Sequence, residues 1–124
     1  MRVPLALYGA VLCLCFVPIL SAQDAAKVDP THYTVMSEND QVRILKVHYG
    51  PHEKSVMHSH PAGVVVFLTD SKARFNYADG KKAEDFVFKT GDAQTTASMT
   101  HLPENTGDNG MDAIVIELKG SPAK

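Results

Sequence analysis

The chain has 124 residues, with 12 Lys and Arg against 14 Asp and Glu and a formal net charge of −2. That length holds one small domain and no more. The charges are scattered with no basic stripe, and tryptophan is absent, which argues against nucleic acid as a partner.

Residues 1–22 read as an export signal. Arg2 supplies a positive start, residues 3–20 are uncharged and apolar, and Ser21-Ala22 offers a small-residue exit with cleavage after Ala22. Such a run is also near the minimum for spanning a membrane. Pro4, Gly9 and Pro18 interrupt it, and a retained anchor is the alternative. The only membrane contact expected is through an uncleaved signal. Both cysteines, Cys13 and Cys15, lie inside this run. With it removed the protein would work in the periplasm or as a secreted protein, with no disulfide and no thiol chemistry of its own. Losing Arg2 leaves 11 basic against 14 acidic residues, a net charge of −3.

Residues 23–30 are short, polar and Ala-rich and read as a loose arm. Residues 31–120 form the domain, and 121–124 a tail. Within the domain, strands are expected over residues 32–37, 42–49, 55–60, 64–68, 73–77, 83–89, 93–97 and 111–119. The segment 42–49 alternates through Arg43, Leu45, Val47 and Tyr49 on one face and Val42, Ile44 and His48 on the other. Residues 64–68 are a continuous apolar run, expected for a strand buried on both faces. Asp79-Gly80 is a hairpin signal. About eight short strands separated by Gly, Pro, Asp and Asn, with no sustained helical period, predict an all-β sandwich or barrel.

Within this frame His58 and His60 stand two residues apart. On an extended strand both imidazoles point to one face, as two ligands to one metal ion would. His101, after the Gly91-Asp92 turn, is the third candidate. The plainer alternative is polar residues hydrogen-bonded at a strand mouth. Gln94 shares a strand face with Thr96 and is a candidate fourth ligand or substrate contact. His48 is a candidate pocket residue if the face of Val42 and Ile44 is internal. His32 and His52 read as structural or exposed.

These residues resemble the cupin superfamily. Its first motif runs from a glycine through H-x-H to a glutamate. Gly50, His58 and His60 fill the first part, with two extra residues between Gly50 and His58, and the glutamate position falls on Val64 or Val65. The second motif is matched by Gly91, His101 and Asn105, one residue short between the first two. The resemblance implies a cupin-type double-stranded β-helix, or jelly-roll barrel. It also implies one divalent transition metal ion held by His58, His60 and His101, with Val64 and Val65 lining the pocket. Imidazole ligands do not distinguish Fe, Mn, Zn, Ni and Cu. Three-histidine sites without the glutamate are similar to those of cupin dioxygenases. A mononuclear dioxygenase- or lyase-like oxidoreductase acting on a small molecule is therefore one expectation. A non-enzymatic sensor that binds metal or a small molecule is the other. The missing glutamate leaves the ion's charge unopposed, so an anionic substrate with two donor atoms is expected. A small domain without disulfides, in a superfamily that pairs edge strands, is expected to be a homodimer.

Overall fold

The computed structural model describes residues 23–120; the signal read over residues 1–22 and the tail at 121–124 lie outside the described residues. Among the described residues, nine strands follow one short helix, α1 (Ala25–Val28). One antiparallel sheet contains β1 (Tyr33–Glu38), β2 (Val42–Tyr49), β4 (Gly63–Phe67), β7 (Ala93–Thr96) and β9 (Met111–Leu118), in the order β1-β2-β9-β4-β7. The other contains β3 (His58–His60), β5 (Ser71–Tyr77), β6 (Glu84–Phe88) and β8 (Met99–Asn105), in the order β3-β8-β5-β6. Both sheets send side chains into one core. Leu45, Val47 and Tyr49 come from β2, Phe67 from β4, Ala73 from β5, Phe88 from β6, and Met111 and Ala113 from β9. This is the all-β architecture expected from the alternation, in the double-stranded β-helix form that the resemblance implies.

The phase of each strand follows from which residues the core accepts. On β2 the core takes Leu45, Val47 and Tyr49, so His48 lies on the outer face. Its side chain is 57% exposed and bonds Asp112 at 2.8 Å. The expectation that His48 lines a pocket is therefore corrected. The run at 64–68 is not buried on both faces. Phe67 is buried in the core and Val65 packs against it. Val64 is half-buried on the outer face, in register with Ile116, which in turn pairs with Ile44. Val64 thus does not line the pocket beside the histidines, contrary to expectation.

Two glycines matter here. A Cβ on Gly63 would run into the Ile116 carbonyl oxygen, so only glycine lets β4 approach β9 at that point. Gly80 sits at φ 74° in the turn between β5 and β6, the hairpin signalled by Asp79-Gly80.

Two segments differ from expectation. Residues 23–30 are no loose arm. Asp24 caps α1, accepting from the Ala26 N–H at 3.0 Å, Ala25 is fully buried, and the Gln23 carbonyl accepts from the Ser59 N–H at 2.7 Å. β8 contains Pro103, which hid it as a strand. The Pro103 carbonyl accepts from the Ser55 N–H. In an antiparallel ladder a residue's N–H and C=O point to the same neighbour. The missing N–H therefore faces the segment before β3, and the pairing with β5 loses nothing.

Candidate metal centre

β3 and β8 are antiparallel neighbours with His58 directly opposite His101. Period-two alternation turns His58 and His60 to the same interior face, and Ser59 outward to bond Thr100. The three rings converge, with centroids 4.7 Å apart for His58 and His60, 5.0 Å for His58 and His101, and 5.5 Å for His60 and His101. One ring nitrogen from each lies within 4.8 Å of the others.

Hydrogen bonds fix which nitrogens face inward. His58 Nδ1 lies 2.8 Å from the Val56 carbonyl. A carbonyl only accepts, so Nδ1 carries the proton and Nε2 offers its lone pair. Ser55 supports the same tautomer. Its hydroxyl donates to Asp29 at 2.5 Å, which leaves an Oγ lone pair 3.2 Å from His58 Nδ1. His60 Nδ1 donates to Glu117 Oε1 at 2.8 Å. Glu117 also accepts from Arg43 at 2.6 Å, and Arg43 binds both oxygens of Asp24 at 2.6 and 2.8 Å. His58 Nε2 and both nitrogens of His101 are buried without a hydrogen-bond partner among the described residues. Orphaned buried polar atoms are costly. Three lone pairs converging on one point are what a metal ion would satisfy, and the donor set fits one.

The electrostatics favour neutral ligands. Burial, then the neighbouring His60, pushes the His58 imidazole down to about 4. Burial, then His58 and His60, pushes His101 down to about 3. Burial alone would raise the Glu117 carboxyl; the hydrogen bonds from His60 and Arg43 outweigh it and hold it below its usual range.

Beside the histidines lies a cavity of about 300 Å³ reached by His60, Val65, Gln94 and four phenylalanines. Val65 is thus the inward member of the pair at the motif's glutamate position. Gln94 is exposed on β7 and stands at the cavity's rim. Asn105 is buried and holds the loop, donating to the carbonyls of Gly50 and Asn109.

Sequence reading missed Glu117, Arg43, Asp24, Ser55 and Asp29. A signal for two of them was present. Glu117 falls in the inward phase of β9 with Ala113 and Val115, and Arg43 in the inward phase of β2 with Leu45. Opposite charges at core positions of strands paired residue to residue, Arg43 facing Glu117, must neutralise each other.

The fold and the three-histidine cluster together define a cupin-type double-stranded β-helix with a candidate metal centre. No protein-family model matches the sequence, and no curated protein does. Solved structures match it in shape. A cupin domain from Bordetella pertussis superposes with a TM-score of 0.65 at 22% identity, covering 71% of this chain and 92% of that one. A double-stranded β-helix protein from Klebsiella pneumoniae gives 0.56 at 17%, covering 73% and 78%. A DMSP lyase from Ruegeria pomeroyi gives 0.52 at 17%, covering 75% of this chain but 50% of the lyase. At these identities the likeness establishes the fold and leaves the activity to the site.

Proposed function

We propose that this chain holds one divalent transition metal ion on His58, His60 and His101 and acts as a mononuclear metal enzyme on a small, anionic, chelating substrate. The observation that carries the reading is the set of buried histidine nitrogens without partners, with His58 Nε2 and His60 Nε2 turned inward by fixed tautomers. A bound ion would supply a Lewis acid to the substrate's donor atoms. The chain's own residues orient the ligands, shield the site with apolar walls and leave open positions beside the three imidazoles. Three neutral imidazoles bring no negative charge, and Val65 stands where a carboxylate would otherwise face the site. The carboxylate of Glu117 is tied to Arg43 and offsets little of the charge. An anion with two donor atoms therefore suits the site. The dioxygenase or lyase chemistry expected from the resemblance belongs to this reading, and one structural neighbour is a DMSP lyase. The protein would act outside the cytoplasm, as the apolar start of the sequence suggests. It would assemble as a homodimer, a reading supported by the half-buried apolar row Ile44, Ile116 and Val64 on the outer sheet face.

Metal analysis of the purified protein, followed by oxygen uptake and product analysis with thiols, β-diketones and other chelating anions, tests the function. Stoichiometric metal that disappears in His58→Ala and His101→Ala supports it. Equal metal content in wild type and both variants defeats it. Bound metal with no turnover of any chelating anion would turn the reading toward a sensor.

A further inference from the structure

Resting on that metal reading, we propose that the substrate carries a single aromatic ring, held by the phenylalanine wall beside the histidines. The wall begins at the cluster itself. Phe75 meets His101 edge to face with centroids 4.6 Å apart, and meets Phe86 at a tilt of 49° with centroids 4.9 Å apart. Phe86, Phe88 and Phe67 continue it with nearly parallel planes, 9° apart for the first pair and 10° for the second. A ligand gripped at the histidines has its body laid along this wall, where a flat ring adds aromatic contact beyond simple area burial.

Size and charge narrow the class. A cavity of about 150 Å³ accommodates a benzene, so the 300 Å³ here takes one ring plus a bidentate head. Among the described residues, no Lys, Arg, Asp or Glu lines the cavity. A substrate with a second charged group, such as an amino acid zwitterion, would bury that charge without a partner. An aromatic cage for a quaternary ammonium needs open ring faces. Phe67 and Phe88 each spend one face on their mutual stack, with centroids 3.7 Å apart, and among the described residues no carboxylate lines the cavity to offset a cation, so a neutral aryl body fits and a cationic one does not.

A pair of probes with one chelating head isolates the body. The protein is loaded with Ni(II), its metal content is measured, and acetohydroxamate and benzohydroxamate are titrated by calorimetry. The expected result is that benzohydroxamate binds at least about tenfold tighter, equivalent to about 1.4 kcal/mol. In Phe86→Ala, and in Phe86→Leu, which keeps apolar bulk for the fold, that preference should shrink to about threefold or less while acetohydroxamate is unchanged. Equal affinity of the two probes for the wild type overturns the inference. So does a preference that survives in both variants. Failure of the underlying metal reading looks different: no nickel is retained and neither hydroxamate binds, and the inference falls with it.

Discussion

At the scale of single residues, the site is defined by what stands behind each histidine. His60 leans on Glu117, Glu117 on Arg43, and Arg43 on Asp24. The carboxylate fixes the His60 tautomer and orients its ring as a ligand, a role whose loss typically weakens metal binding by about 10–100-fold. Glu117→Gln keeps the shape and removes the charge. Metal affinity measured by chelator competition should fall within that range, with a stability loss of about 1–3 kcal/mol from the weakened hold on Arg43. Unchanged affinity would reduce Glu117 to a core ion pair. A second pair of substitutions separates the two valines at the motif's glutamate position. Val65 packs against the core and Val64 does not. Val65→Glu should place a carboxylate beside the ligands and weaken the binding of chelating anions, whereas Val64→Glu should leave it within about twofold, as outward surface changes do. Equal effects from both would contradict the strand phase or the charge argument.

At the scale of elements, the positions easiest to read were those with strict alternation. β2 was legible as a strand because Leu45, Val47 and Tyr49 alternate with Lys46 and His48. The apolar Val42 and Ile44 on the other face left its inner side, and so the place of His48, to be decided by the core. His58 and His60 were legible for the same geometric reason. β8 was hidden by Pro103, whose compatibility depends on which neighbour its missing N–H faces, a fact of pairing and not of local sequence. Glu117 and Arg43 were hidden because a charge inside an apolar strand gains meaning only once its partner strand is known. Residues 23–30 were hidden because a four-residue helix has no period to detect and no stability of its own. The segment is ordered by what it touches. It backs both histidines of β3, through Asp24 and Arg43 toward His60, and through Asp29 and Ser55 toward His58. Deleting residues 23–29 should therefore lower the melting temperature by about 10 °C or more, the shift expected from about 2 kcal/mol in a domain of this size. It should also weaken metal binding at least about tenfold, as losing such outer-shell partners does. A truncated chain with the parent's melting temperature and metal affinity would restore the loose arm that composition suggested.

At the scale of the whole molecule, the barrel concentrates its neutral imidazoles where water is excluded, and this couples the stability of the metal-free fold to pH. An unperturbed histidine titrates at about 6.5. In the folded chain His58 is held down at about 4 and His101 at about 3, burial being the main cause in each case. Above pH 6.5 both histidines are neutral in the folded and unfolded states, and neither makes stability depend on pH. Between 6.5 and the folded values the unfolded chain takes up protons that the fold refuses, so stability falls as pH falls. Each histidine contributes at most about 1.4 kcal/mol per pH unit over its window. Glu117 and Asp24, whose carboxyls are held low in the fold, act in the same direction at lower pH. Their stabilisation is present above the ordinary carboxylate range and lost as acid protonates them. The metal-free protein should thus show a flat melting temperature from pH 8 to about pH 6.5, then a steady decline toward pH 4. His101→Leu should flatten the decline between about pH 6 and 4, because one of the two proton-refusing groups is gone. Thermal melts of the chelator-treated wild type and variant across this range decide it. A wild-type melting temperature that is constant from pH 7 to pH 4.5, or a His101→Leu slope equal to the wild type's, would show that these imidazoles are not buried as neutral groups in the fold.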